Sequence, residues 1–261
     1  MMNRIRLQPL VKLTNESILG YEALYRREQN SAEYPSAYRI LRDIFHIFSD
    51  GGDCKNHKCR NFIFFINMTA QDVLDDEFCA NFFRVLDEMH IDGGNIVLEV
   101  SESTPPHALA QAKKNLNILR NRHVKIALDD FGTKYSGLAF MSELPLDIVK
   151  IDKSFVQMAP SDKKTRTLLR FISQVSHEIG CEVVAEGIET LEQLDCAKES
   201  GADIGQGFLF TASASNFEQQ AASFISLGEF ANLINTAPLR AKRSATAKTT
   251  TEENLEWHSV I

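Results

Sequence analysis

Short apolar runs alternate along the chain with longer stretches whose apolar residues recur at helical spacing. Leu7–Leu13 reads as a strand, Thr14, Asn15, Glu16 and Ser17 as a polar turn, and Ile18–Leu24 as a second strand. So short a connection predicts an antiparallel hairpin. Tyr38, Leu41, Ile44, Phe45 and Phe48 predict a helix over Pro35–Phe48, followed by a polar loop, Asp50–Asn61. Further strands are expected at Phe62–Ile66, Asn95–Val100, Val124–Asp129, Ile148–Ile151, Val183–Ala185 and Ile204–Phe210. Helices are expected at Val73–Met89, Pro106–Arg122 and Thr165–Ile179, with a short segment running to Glu143. Thr190 with Gln193, and Ser215 with Glu218, read as capping boxes that open a short helix and a last helix to about Ile234.

Strands separated by helices imply a parallel sheet. Eight strands in this length argue for an α/β fold closed as a TIM-like (β/α)8 barrel, with the first strand antiparallel because of the hairpin. An open doubly wound sheet is the rival, and it is weakened by the absence of a Gly-rich nucleotide loop after any strand. From Leu239 the chain turns Lys-, Thr- and Ala-rich without apolar period, so residues 1–238 are expected to form one domain and 239–261 a flexible tail carrying Trp257.

Composition excludes little beyond disorder: 44% of the 261 residues are hydrophobic and 24% charged. The net charge of −7 is more telling, since it disfavours a nucleic-acid polymer as partner. A small anionic substrate stays open, because metal ions can carry positive charge locally. No apolar run is long enough for a membrane span, and the N-terminus has no apolar leader region. Five cysteines in a chain of this size suggest a reduced, cytoplasmic protein without disulfide staples. Cys54, His57 and Cys59 could supply three zinc ligands, but no fourth lies nearby, and small buried hydrophobes are the commoner role for such cysteines.

The candidate chemistry lies at the carboxyl ends of the strands. Glu22, Asn67, Glu99, Asp129 with Asp130, Lys150 with Asp152, Glu186 and Gln206 fall there in turn. In a barrel these ends converge on one mouth. A single carboxylate at a strand end usually caps the next helix. Several converging would repel one another, and hard divalent cations would relieve that repulsion. Adjacent strand residues point to opposite faces, so Asp129 and Asp130 can both be ligands only at a strand end or turn, which Gly132 permits. Such a pair can flank two ions and serve an in-line phosphoryl displacement. Lys150 could hold a water or a phosphate, or could be a structural ion-pair partner of the acidic groups. These residues point to a metal-assisted hydrolase and leave the substrate open.

At the same positions the sequence resembles the EAL-domain cyclic di-GMP phosphodiesterases. Glu22-Ala23-Leu24 is the signature tripeptide, set in Gly20–Arg26. The resemblance continues through Gln8-Pro9-Leu10-Val11, Asn67-Met68-Thr69, Leu98–Glu102, Ala127–Thr133, Val149–Asp152, Ala185–Glu189 and Gln206-Gly207. It implies hydrolysis of cyclic di-GMP to linear pGpG with two Mg2+ or Mn2+ ions, and a homodimer. By resemblance, Glu22, Asn67, Glu99 and Asp129 hold the first metal, Asp129 bridges, and Asp130 serves the second. Glu186 binds or deprotonates the attacking water, and Lys150 contacts it. Gln8, Leu24, Arg26 and Gln206 resemble substrate contacts, Asp152 and Glu189 supports of the site, and Glu102 the anchor of the loop after Asp130.

The sequence also departs from the family. Lys134 replaces a usual Gly in that loop, Gly137 replaces a Ser and is expected to add freedom there, and 27–60 matches poorly. These departures keep two alternatives in view. One is a catalytically weak or inactive EAL module that binds cyclic di-GMP or a protein partner. The other is an unrelated barrel metallohydrolase acting on a different phosphoester.

Overall fold

The computed structural model describes residues 5–25, 35–50, 62–102, 109–133, 137–212 and 225–226. The predicted hairpin is present: β1 (Ile5–Lys12) pairs antiparallel with β2 (Ile18–Tyr25), with Gln8 opposite Glu22. Helix α1 (Ala37–Asp50) follows, then β3 (Ile63–Asn67), α2 (Ala70–Leu74), α3 (Phe78–Glu88), β4 (Ile96–Ser101), α4 (Leu109–Arg120) and β5 (Lys125–Phe131). The second half runs α5 (Gly137–Glu143), β6 (Ile148–Ile151), α6 (Lys153–Met158), α7 (Lys163–Glu178), β7 (Glu182–Ala185), α8 (Leu191–Ser200), β8 (Ile204–Gln206), α9 (Phe208–Ala212) and β9 (Ile225–Ser226).

Strands β2 to β8 pair parallel in sequence order, and β1 closes the ring by pairing antiparallel with both β2 and β8. The result is the TIM-like barrel expected from the alternation, with its first strand reversed. A short strand, β9, adds to β1 beside Arg6 and Leu7.

Strand alternation sorts the core into two layers. Leu10, Phe65, Val97, Ala127, Ile148, Val184 and Ile204 form a buried cluster of their own, filling the barrel. Their neighbours in sequence, such as Phe64, Ile96, Leu98, Ile126, Leu128, Val149, Val183 and Ala185, face the helices and join a larger cluster with Phe78, Phe82, Leu116, Phe140 and Leu169.

Several expected boundaries differ from the structure. The helix expected over Val73–Met89 is two helices. A capping box at Thr69 and Asp72 starts α2 early. Buried Asn115 of α4 then donates to the carbonyls of Val73 (3.0 Å) and Asp75 (3.1 Å), taking the acceptors that a continuous helix would have used. The last expected strand, Ile204–Phe210, stops at Gln206 and continues as α9. There Gly207 packs so closely that a Cβ would sit 2.1 Å from the carbonyl oxygen of Ile188. Ile188 N in turn donates to Gln206 O (3.0 Å) and Leu209 N to Ile188 O (3.0 Å), which turns the chain off the sheet. In the helix expected to run to Ile234, Ile225–Ser226 is a strand instead, because β1 offers it an unpaired edge. Helix α6 was not expected, although Asp152 two residues before Ser154 is an N-cap pattern and its side chain accepts from Ser154 N. The box at Thr190 and Gln193 is present as expected. Cys54, His57, Cys59, Ser215, Glu218, Lys134, Trp257 and the 239–261 tail lie outside the described residues. Among the described residues, no helix is long and apolar enough to cross a membrane.

Candidate active site

Two residues beyond each apolar filler on β3 to β8, the same face carries a polar group near or just past the strand end. Phe65 is followed by Asn67, Val97 by Glu99, Ala127 by Asp129, Ile148 by Lys150, Val184 by Glu186, and Ile204 by Gln206. On β2, Glu22 lies level with Phe65 in the pairing, and on reversed β1 Gln8 stands opposite Glu22. The polar groups therefore form one ring at the mouth, directly above the apolar filling.

Lys150 lies at the centre of that ring. Its side chain is 1% exposed, and Nζ stands 2.6 Å from Glu99 Oε1, 2.7 Å from Glu186 Oε1, 2.8 Å from Asp129 Oδ1 and 3.5 Å from Glu22 Oε2. Burial alone would push the ammonium pKa down, but the facing charges of Glu186, Glu22, Glu99 and Asp129 outweigh it and hold it well above the usual lysine value. One positive charge cannot satisfy so many negative ones. Burial first, and then the charge of Glu22, push Glu99 well above the usual carboxylate range, with Lys150 opposing. Burial pushes Glu186 up to about 7, again against Lys150. Burial and the neighbouring Asp129 raise Asp130. Although Glu99 Oε1 is within ion-pair distance of Lys150, neither Glu99 oxygen receives a directed hydrogen bond.

The Asp129–Asp130 pair reaches the mouth through a bulge. Strand β5 does not end there: it runs to Phe131, its pairing with β6 slips between Leu128 and Phe131, and Asp130 takes φ 56°. The left-handed residue turns two successive carboxylates toward the same space, where alternation would have separated them. Oxygens of Asp129, Asp130 and Glu186 lie within 4.8 Å of one another, close enough to share a cation. Donor chemistry agrees: all are carboxylate oxygens, suited to hard divalent ions, and buried Glu99 has oxygens left without a hydrogen bond. Glu22, Glu99, Asp129, Asp130 and Glu186 crowd the mouth around one ammonium, an excess of acidic groups that divalent cations would relieve.

The amides orient this ring. Asn67 Nδ2 donates to Glu22 Oε1 (3.1 Å), and Gln206 Nε2 donates to Glu22 Oε2 (2.6 Å) and Gln8 Oε1 (2.9 Å). Buried Gln206 Oε1 has no hydrogen-bond partner. Leu24 is half-buried on β2, and Arg26 lies outside the described residues. Glu102 is buried just beyond β4 and accepts from Gly132 N (3.3 Å), so it holds the turn after Asp130. Asp152 borders the ring, where its charge also raises Asp130, and Glu189 is exposed. Asp152 caps α6 by accepting from Ser154 N (3.0 Å), and exposed Glu189 accepts from Gln157 Nε2 (3.2 Å).

Sequence reasoning misread Gly137 and missed Gln157. Gly137 opens α5, and a Cβ there would lie 2.2 Å from Glu102 Oε1 and 2.6 Å from the Phe131 ring. Its role is to leave space for the Glu102 anchor, where the sequence had suggested only added freedom. Gln157 had no sequence signal, because the helix that carries it was not anticipated.

A mixed barrel with an oxygen-rich, cation-seeking mouth is the class that fold and site define. The particular family follows from comparison: residues 3–213 match the EAL domain, and the chain belongs to that family. The chain is 34% identical over 172 residues to the cyclic di-GMP phosphodiesterase PdeL of Escherichia coli, covering 66% of this chain and 45% of that protein. It is 35% identical over 145 residues to the probable cyclic di-GMP phosphodiesterase PdeG of the same organism, covering 56% of this chain and 29% of that protein. It thus spans less than half the length of these curated relatives. Among solved structures, the EAL domain of Mycobacterium smegmatis DcpA superposes with a TM-score of 0.74 at 27% identity, over 89% of this chain and 95% of that one.

Proposed function

We propose that the protein hydrolyses one phosphodiester of cyclic di-GMP to give linear pGpG, using Mg2+ or Mn2+ ions held at the barrel mouth. The observation that carries this reading is the ring itself, in which Glu22, Asn67, Glu99, Asp129, Asp130, Lys150 and Glu186 converge above the barrel filling. Family membership and the names of PdeL and PdeG support the choice of substrate.

Glu22, Asn67, Glu99, Asp129, Asp130 and Glu186 are the residues that would hold the ions. Ions there would supply Lewis-acid stabilisation of the phosphoryl oxygens and acidify a bound water. Glu186 is the carboxylate assigned to bind that water or take its proton. Lys150 places a positive charge where negative charge develops on the phosphate. The free Gln206 Oε1 is an acceptor for a nucleobase N–H, and Gln8, held by Gln206 Nε2, stands beside it as a second contact with Leu24 alongside. Arg26 would bind phosphate, and Glu102, Asp152 and Glu189 support the ring from outside it. The active unit is a homodimer in the cytoplasm, coupled through the loop that Glu102 anchors.

Purified protein incubated with cyclic di-GMP and Mg2+ or Mn2+ tests this. Release of pGpG, lost in Glu186→Ala, is the expected result. Absence of pGpG with either metal overturns it, and equal turnover of a generic phosphodiester overturns the substrate assignment.

A further inference from the structure

Among the described residues, Lys150 is the only cation paired with the ring carboxylates, and its position is unusual for a residue that meets only a water or a phosphate. Its Nζ lies at the point on which four carboxylates from the carboxyl ends of different strands converge, at 2.6, 2.7, 2.8 and 3.5 Å, and its side chain is as buried as the barrel core. An ammonium has three protons to give. Asp129 Oδ1 takes a directed hydrogen bond at 2.8 Å, while both Glu99 oxygens go without one. The ring is therefore held together by a single charge too small for it.

We propose that Lys150 is a resident stand-in for the metal: in the metal-free protein its ammonium occupies the convergence point of Glu22, Glu99, Asp129 and Glu186, holds the ring closed, and competes with incoming divalent cations for the same oxygens. This rests on the metal-hydrolase reading above and deepens it. Without such a cation, buried like charges at these distances would force the strand ends apart. The same residue then sets a threshold for metal binding, since each ion must displace ion pairs already made. Lys150 thereby has a positioning role in the metal-free state that is separate from any contact with substrate.

Lys150→Met keeps the length and apolar stem of the side chain and removes the charge. Binding of Mn2+ alone is measured by calorimetry and by the electron-paramagnetic-resonance signal of free Mn2+, together with thermal melting of full-length protein with and without the ion. The variant is expected to bind Mn2+ about tenfold more tightly or better, as expected for removal of a nearby like charge. It should melt lower than wild type when metal-free and gain more on adding Mn2+. Unchanged or weaker Mn2+ binding in the variant, with binding by wild type intact, overturns the stand-in role and leaves the hydrolase reading standing. Absence of Mn2+ binding to both proteins overturns the metal reading and the stand-in with it. If the variant folds only when Mn2+ is present, the proposal is supported; if it fails to fold even then, the proposal is overturned.

Discussion

Gln206 Nε2 lies 2.6 Å from Glu22 Oε2, joining the last strand of the barrel to the second across β1. The bond fixes one ring carboxylate at the seam where the reversed strand closes the sheet. Outer contacts of this kind commonly change metal affinity by about 10- to 100-fold. Gln206→Leu is expected to weaken Mn2+ binding by at least about tenfold on that basis, with a smaller loss of thermal stability. Calorimetric titration beside a melting curve checks both, and unchanged affinity would show that Glu22 needs no such support.

Metal binding should depend on pH with a definite sign. Glu186 is raised from 4.5 to about 7 in the metal-free protein, so its folded form holds a proton that the unfolded chain gives up sooner. Its proton-linked stabilisation of the metal-free fold is complete below pH 4.5 and is lost as pH rises through about 7. A metal needs the deprotonated carboxylate, so Mn2+ affinity should climb by about tenfold per pH unit per displaced proton below 7, and less steeply above. Calorimetry in two buffers of different ionisation enthalpy counts the protons released. A flat profile from pH 5 to 7 contradicts it.

Gly137 should tolerate no side chain cheaply. A Cβ there meets Glu102 Oε1 at 2.2 Å, and Glu102 holds the turn at Gly132 that follows the Asp129–Asp130 pair. Gly137→Ala is expected to cost about 1–3 kcal/mol of stability, as overpacking does. It should also weaken Mn2+ binding, because the displaced anchor loosens the segment that carries Asp130. Urea unfolding and the same metal titration report the two effects separately.

His123 gives a prediction away from the site. It closes the turn after α4 at φ 64°, where a side chain is strained. His123→Gly should raise stability by about 1 kcal/mol by removing that strain. A higher urea midpoint with unchanged turnover is the expected pair of readings.

Sequence alone determined the barrel, the reversed first strand and nearly all of the ring, and the reason is periodicity. Strand side chains repeat every two residues, so each apolar filler such as Val97 or Val184 already specifies that Glu99 or Glu186 faces the same interior one step nearer the mouth. Local rules also sufficed for the Thr190 box, whose partners are three residues apart. The tertiary structure decided what depends on partners distant in the chain. Asn115 splits one expected helix in two from 42 residues away. Gly137 has meaning only against Glu102, and β9 forms only because β1 offers an edge. The sequence required a strand end or turn to bring Asp129 and Asp130 together and placed its freedom at Gly132, whereas the structure uses a bulge inside β5 with Asp130 itself left-handed. Above all, the sequence placed Lys150 at the mouth among acidic neighbours, but its position at their common centre follows from the strands closing around it, because distances between residues 21 to 128 positions apart are fixed only when the ring shuts.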